Sequence, residues 1–276
     1  MAATGTLAGL CLPIALACLA LPVAAADPQS PPYPWPQGAR AAVSLAYDDA
    51  VPSQLDNAIP ALDRHGLKGS FYLTLSAATV RTRLSEWRAA ARNGHELGNH
   101  TLFHQCSAAG ADRAWVTPPQ DLDTMSVARM QAEVALANAM LHAIDGSTEF
   151  TFTAPCGDRT AADGDYLAGL HDSFVGIKIG AGAVVPDMGS LDRMAVPVIA
   201  PNGTSGAELI ALVEAAGRRG TMVNFTFHGI GGDHLAVSTD AHDALLAFLA
   251  AHRDIYWTAT FRQQMQWVRE RERTGE

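Results

Sequence analysis

Short β-rich runs alternate with helical stretches through most of the chain, and this alternation constrains the fold more than any other feature. The first β-rich run, residues 41–47, is followed by a helical stretch at 52–65 that Gly66 ends. Strands that alternate with helices in this way predict βα units around a parallel sheet or barrel. About seven such strands, without a glycine-rich dinucleotide-binding motif after the first, favour a closed or nearly closed barrel over a doubly wound sheet.

The other predicted elements continue the same order. Further strands are expected at 69–73, 95–100, 150–153, 175–179, 195–200, 221–227 and 255–257, and further helices at 80–92, 126–144, 205–218 and 241–252. A long connection rich in Gly, Ala and Pro, residues 101–122, separates the third strand from the longest helix. The charged segment 269–276 is interpreted as a solvated tail.

The N-terminal segment is apolar and short. Residues 7–21 are almost wholly apolar, small residues follow as far as Asp27, and the first basic residue is Arg40. Such a run is too brief and wrongly flanked for a stable membrane span, so we predict a signal peptide over 1–26. A buried N-terminal helix or an uncleaved anchor is the alternative. Five prolines then predict an extended linker at 27–39, before a single catalytic domain at 40–276.

Composition narrows the possible partners and the compartment. With 48% hydrophobic and 17% charged residues, the chain can bury a large core. A net charge of -9 without a basic run makes nucleic acid an unexpected partner. We expect an exported protein, periplasmic or secreted, with no stable membrane span in its mature part. The sequence does not predict an oligomeric state.

Four cysteines are present, and two of them, Cys11 and Cys18, fall in the predicted signal peptide. Cys106 and Cys156 remain. An even pair in an exported protein predicts a disulfide, and two separate buried thiols are the alternative.

Polar residues follow the first and third predicted strands. Asp48 and Asp49 come at the end of the first, where α/β barrels build their active sites. His100 and His104 follow the third strand and, four residues apart, can face a single ion. Two His and one carboxylate form a common ligand set for catalytic zinc. Taken singly, an Asp-Asp pair is more often a turn or helix cap, and the histidines could be structural.

Two later strand ends carry groups that can donate hydrogen bonds or protons. A Pro155-Cys156-Gly157 turn follows 150–153, and the backbone N–H of Cys156 could stabilise an oxyanion there. His228 follows 221–227 and is a candidate proton donor.

Together these strand ends resemble the polysaccharide deacetylases, the family four carbohydrate esterases, over residues 40–267. The segment 46–50, Ala-Tyr-Asp-Asp-Ala, is similar to the family's Thr-Phe-Asp-Asp-Gly motif, and 100–104 matches its His-Ser/Thr-x-x-His motif in full. The resemblance implies a distorted (β/α)7, TIM-like barrel. It also implies an enzyme that removes acetyl groups from an N- or O-acetylated carbohydrate, with an acetylated glycan or oligosaccharide as substrate.

The resemblance assigns roles to individual residues. It implies that Asp48 is the general base, that His228 is the general acid, and that one divalent metal is bound. Zn²⁺ is the first candidate, with Co²⁺ or a similar ion as alternatives. The implied metal ligands are Asp49, His100 and His104.

Agreement with the family is weaker in its third motif, Arg-x-Pro-x-Gly. Pro155 and Gly157 are present, but Thr153 stands where the family has an Arg that braces the catalytic Asp. Lys178 or Arg159 could take over that task. The family's Asp-x-x-Asp-Trp motif is absent from the sequence. Two alternatives therefore remain open, a hydrolase of a non-sugar amide on the same scaffold and an inactive carbohydrate-binding relative.

Overall fold

The computed structural model describes residues 33–182 and 184–274, together with Met1, Ala2 and Gly5. The chain divides into two units, Met1–Pro31 and Pro32–Glu276. The predicted signal peptide at 1–26 lies almost wholly outside the described residues and stays a prediction. Within the described part of the chain, no helix has the length and apolar character needed to cross a membrane.

The second unit contains ten strands and seven α-helices among its described residues. The strands are β1 (Ala41–Asp48), β2 (Ser70–Leu73), β3 (Glu96–Asn99), β4 (Thr151–Thr153), β5 (Thr160–Ala161), β6 (Gly164–Asp165), β7 (Gly176–Ala181), β8 (Val196–Val198), β9 (Met222–Phe227) and β10 (Tyr256–Ala259). The helices are α1 (Ile59–Arg64), which continues a π-helical segment Gln54–Ala58, then α2 (Ala78–Thr82), α3 (Leu84–Arg92), α4 (Val127–Asp145), α5 (Gly206–Arg219), α6 (Thr239–Ala251) and α7 (Phe261–Thr274).

Eight parallel strands form one sheet that curls into a nearly closed barrel. From β1 the sheet runs through β2, β3, β4 and β7 to β8, and β9 pairs with the other edge of β1. A bridge between Ile199 and Phe225 connects the β8 end to β9. β10 pairs with the first half of β1, on the side where β2 pairs with the second half. The prediction of a distorted (β/α)7 barrel is confirmed, with β5 and β6 as a separate antiparallel hairpin.

The two faces of β1 pack into different parts of the core. Val43, Leu45 and Tyr47 belong to the apolar cluster shared with the surrounding helices, whereas Ala42 and Ala46 belong to a second cluster. All eight residues of the strand are buried. Because strand side chains alternate between faces, Asp48 lies on the same face as Ala42 and Ala46 and away from Tyr47. The strand therefore delivers its terminal carboxylate to the face opposite the helix layer.

The packed unit extends beyond the predicted catalytic domain at its N-terminal end. Trp35 is 3% exposed, and its indole N–H donates to the carbonyl oxygen of Gly220 at 3.3 Å. The aromatic side chain is buried against Trp257, with ring centroids 5.8 Å apart. Trp35 and Ala39 of the predicted linker are therefore buried, whereas Pro34, Gln37 and Gly38 are exposed.

The C-terminal segment, interpreted as a solvated tail, is helical as far as Thr274. It is the end of α7, in which Phe261, Met265 and Val268 are buried at helical spacing. Arg269 on its outer face forms an ion pair with Glu149 at 2.7 Å. The apolar stripe ends at Val268, and none of residues 269–274 is buried, so the segment is helical and largely exposed to solvent.

Candidate active site

The end of β1 brings two adjacent carboxylates to one cleft. Adjacent strand residues normally point to opposite faces, but Asp49 has φ +80° and Ala50 has φ +58°. This left-handed turn is uncommon for residues other than glycine. It redirects the chain so that Asp48, 2% exposed, and the side chain of Asp49, 13% exposed, both face the end of the barrel.

The loop after β3 brings in the two histidines. Thr101 and His104 also have positive φ, +66° and +58°. The side chain of Asn99 accepts a hydrogen bond from the Thr101 N–H at 2.8 Å, and the Thr101 hydroxyl accepts one from the His104 N–H at 2.9 Å. These local bonds hold the turn in which His100 and His104 face the same point.

Asp49, His100 and His104 form a three-residue cluster suited to a cation. The Asp49 Oδ1 atom lies 3.2 Å from Nε2 of His100 and 3.1 Å from Nε2 of His104. The three atoms lie within 4.8 Å of one another. Although Asp49 Oδ1 is buried, it makes no hydrogen bond of acceptable geometry to the described residues. Three donor atoms that converge without satisfying one another fit a divalent cation.

The orientation of His100 supports the same conclusion. Its Nδ1 atom lies 2.8 Å from the carbonyl oxygen of Thr153, which can only accept, so Nδ1 carries a proton and donates. In the neutral ring, Nε2 then presents a lone pair to the cluster. A hydrogen bond of this kind commonly fixes the tautomer of a histidine metal ligand. The residues present therefore fit the implied metal.

The charges of the cluster shift several pKa values. Burial would raise the pKa of Asp49, but the neighbouring imidazoles of His100, His104 and His234 outweigh it and hold this pKa well below its usual value. Burial would lower the pKa of His100, but the charges of Asp48 and Asp49 raise it to about 9. The cluster thus retains negative charge on Asp49, which favours the binding of a cation.

Asp48 is the second carboxylate and has a different environment. Burial raises its pKa, and the nearby His100 and His228 only partly oppose this effect. Its Oδ2 lies 3.9 Å from Nε2 of His100, while its buried Oδ1 has no hydrogen-bond partner among the described residues. A carboxylate with a free oxygen and a raised pKa is suited to accept a proton.

His228 lies at the end of β9, the strand that pairs with β1. Its Nε2 is 3.9 Å from Oδ2 of Asp49, and burial lowers its pKa. Gln54, which is fully buried, donates from its side-chain amide to the carbonyl oxygens of both Asp48 and His228. Gln54 therefore connects the two strand ends. The sequence gives no signal that distinguishes this glutamine from any other at the start of a helix.

A disulfide connects two loops beside the cluster. Cys106 and Cys156 are bonded, with their Cα atoms 5.9 Å apart, and both sulfurs lie within 4.8 Å of a ring nitrogen of His104. Cys156 has φ +59° inside the turn Pro155–Gly157. The position of this turn beside the cluster agrees with an oxyanion role for the Cys156 N–H, which stays a prediction.

The two candidate substitutes for the family's missing Arg, Lys178 and Arg159, have different surroundings. Lys178 is fully buried, its Nζ is 3.4 Å from the Ser44 hydroxyl, and its charge acts to lower the pKa of Asp48. Burial lowers the pKa of Lys178 itself to about 8. Arg159 instead forms an ion pair with Asp165. Lys178 is therefore the candidate whose charge acts on Asp48.

The sequence alone gives His234 no role beyond its place in the glycine-rich loop after β9. In the structure its Nε2 lies 2.7 Å from Oδ2 of Asp49. Trp115, in the long connection after β3, is 48% exposed, and its ring lies 5.7 Å from that of His104. A histidine in a glycine-rich loop after a strand was the one available signal for His234.

Comparison with known proteins finds one family model that matches part of the chain. Residues 37–168 match the family model described as polysaccharide deacetylase. A gellan lyase from Bacillus sp is 26% identical over 123 residues, which are 45% of this chain. The match spans only 4% of that relative's length.

Solved structures share the fold at low sequence identity. A polysaccharide deacetylase described as putative, from Mycobacterium smegmatis, has a TM-score of 0.57 at 17% identity and covers 87% of this chain and 94% of its own. The Xyl-CE4 domain of a multidomain xylanase from the hindgut metagenome of Trinervitermes trinervoides has a TM-score of 0.52 at 16% identity, over 86% and 92%. A CE4 family pseudoenzyme from Bacillus anthracis has a TM-score of 0.50 at 16% identity, over 81% and 65%. The family match over residues 37–168 and the shared barrel fold identify the chain as similar to the polysaccharide deacetylases.

Proposed function

We propose that this domain is a metal-dependent hydrolase that removes acetyl groups from an N- or O-acetylated carbohydrate. The observation that carries the proposal is the convergence of Asp49 Oδ1 with the Nε2 atoms of His100 and His104 at 3.1 to 3.2 Å. Asp48 and His228 lie next to this cluster, at the ends of the paired strands β1 and β9, so a proton acceptor and a proton donor would share one cleft with the metal ligands.

Each residue has a role that follows from its environment. A divalent cation, Zn²⁺ first and Co²⁺ or a similar ion as alternatives, would supply Lewis-acid polarisation of the acetyl carbonyl and of water. Asp49, His100 and His104 would hold it. The free oxygen of Asp48 takes the proton from the attacking water, and the backbone N–H of Cys156 donates to the developing oxyanion.

His228 completes the reaction. Burial lowers its pKa, so when it carries a proton it gives that proton up readily. It protonates the departing amine or alcohol as acetate is released. Gln54 holds His228 and Asp48 in register through their carbonyl oxygens, which keeps acid and base at the adjacent ends of β9 and β1.

The proposed substrate is an acetylated glycan or oligosaccharide, and the proposed location is outside the cytosol. The polysaccharide deacetylase match over residues 37–168 supports the substrate class. The bonded Cys106 and Cys156 support an oxidising compartment, because disulfides persist mainly in exported proteins. We propose that residues 1–26 direct export to the periplasm or beyond and are then removed.

The test couples metal analysis with acetate release from acetylated xylan, chitin oligomers and peptidoglycan. We expect one bound ion per chain in the wild type, and loss of both metal and activity in Asp49→Ala and His100→Ala. His171→Ala, which removes an exposed histidine outside the candidate site, is the matched control and should change neither metal content nor activity. Stoichiometric metal in both ligand variants would refute the assignment.

A second candidate function is a carbohydrate-binding relative without activity. Thr153 favours it, because this residue replaces the Arg that braces the catalytic Asp in the family, and its own hydroxyl is buried without a partner among the described residues. Glycan binding by the metal-loaded protein, with no acetate released from any of the three substrates, would support this candidate.

A further inference from the structure

The loop that follows β9 has an internal hydrogen-bond network that the proposed reaction does not use. The Gly229 N–H donates to the His234 carbonyl at 3.1 Å, and the Val237 N–H donates back to the Gly229 carbonyl at 3.1 Å. The Gly231 N–H donates to the Val237 carbonyl at 2.8 Å. These bonds fold the loop onto itself, so the position of His234 follows from the path of the backbone.

The same loop is attached to the segment that follows β1. The Ser53 N–H donates to Oδ2 of Asp233 at 2.8 Å, and the Ser53 hydroxyl accepts from the Ile230 N–H at 3.0 Å. Asp233 and Leu235, on either side of His234, both have positive φ, +63° and +46°. A loop held in an unfavourable backbone conformation at two residues indicates a functional constraint at the residue between them.

One glycine shows how closely the loop is packed. A Cβ atom on Gly229 would lie 1.9 Å from the carbonyl oxygen of Gly232, so no other residue fits there without a shift of the main chain. Gly232 itself has open space around it. The turn therefore depends on Gly229.

The contact made by His234 divides the two oxygens of Asp49 between two tasks. Oδ1 faces His100 and His104, whereas Oδ2 lies 2.7 Å from Nε2 of His234. A carboxylate oxygen can only accept, so His234 donates from Nε2. We propose that His234 is a positioning residue of the metal site, which holds the outer oxygen of Asp49 and thereby directs the inner oxygen toward the cation. This inference rests on the proposed metal site.

The expected effect is on metal affinity. Loss of a hydrogen bond to a metal-binding residue typically lowers affinity by about 10- to 100-fold. The side chain of His234 is 56% exposed, so water can partly replace the bond after its removal. The expected loss of metal affinity is therefore about 10-fold, at the lower end of that range.

The experiment measures the Zn²⁺ dissociation constant of the metal-free full-length protein by competition with a chromophoric chelator. We expect His234→Ala to weaken binding about 10-fold. His234→Gln keeps an N–H donor and should recover most of that loss. The control His171→Ala removes an exposed histidine elsewhere and should bind Zn²⁺ as the wild type does. Thermal unfolding of each metal-free variant verifies that the fold is intact.

A double-mutant cycle tests whether the attachment of the loop to Ser53 affects Zn²⁺ affinity through His234. Asp233→Ala removes the attachment to Ser53, so it should weaken Zn²⁺ binding in the wild type but add little in the His234→Ala background. Additive losses, or an unchanged dissociation constant in His234→Ala, would overturn the positioning role while leaving the metal site in place. If the wild type binds no Zn²⁺, the metal site and this inference fail together.

Discussion

Removal of the disulfide between Cys106 and Cys156 should lower the stability of the domain substantially. The bond closes a loop across a sequence separation of 50 residues. The chain-entropy relation gives about 4 kcal/mol at 25 °C for a loop of this length, because the crosslink restricts the unfolded chain. For a domain of this size, that free energy corresponds to a decrease in melting temperature of about 8 to 16 °C.

The assay compares the mature wild type with the double variant Cys106→Ser, Cys156→Ser by urea and thermal unfolding. The wild type, denatured without reductant, should show no free thiol. Reductant should lower the melting temperature of the wild type toward that of the variant and leave the variant unchanged. Two free thiols in the unreduced wild type, or equal melting temperatures for the two proteins, would refute the reasoning.

Three further predictions concern the strand ends and the helix layer. His242 is fully buried, and burial lowers its pKa from 6.5 to about 4, so the unfolded chain binds the extra proton first as the pH falls from 6.5 toward 4. The free energy of unfolding should therefore drop by about 3 kcal/mol across that window, and His242→Gln should remove this dependence in urea titrations. Gln54→Leu leaves two strand-end carbonyls without their donor and should cost about 1 to 3 kcal/mol by urea unfolding, with the fold unchanged by circular dichroism. Gly229→Ala should weaken Zn²⁺ binding, while Gly232→Ala, which has free space, should not; equal affinities would contradict the packing argument.

The sequence predicts the barrel well because its signals are local. Glycine and asparagine mark where helices end, and alternating strands and helices leave few topologies available. The observed β1, Ala41–Asp48, differs from the expected 41–47 by one residue. Prediction was less accurate where tertiary contacts determine the backbone path. The helix expected at 80–92 is two helices, separated at Arg83. The guanidinium of Arg83 donates hydrogen bonds to Asp56 and Glu86.

In the candidate site, too, some residues could be predicted from the sequence and others could not. Asp49, His100 and His104 could be predicted from spacing, because each lies at or near the end of a strand, and the parallel strands end on one side of the barrel. Two other features depend on structure that no short motif encodes. His234 reaches Asp49 only through the folded loop after β9, and Lys178 is buried only because the barrel closes around it.

The left-handed residues at the strand ends have an evolutionary consequence. Ala50 is 1% exposed and has φ +58°, where the family's motif has glycine. A left-handed conformation costs a residue with a Cβ atom about 1 to 2 kcal/mol, and the smaller backbone entropy that alanine loses on folding, compared with glycine, offsets only part of this cost. The surrounding barrel must supply that free energy. Destabilising substitutions far from the cleft would therefore be tolerated less well in this chain than in relatives that keep the glycine.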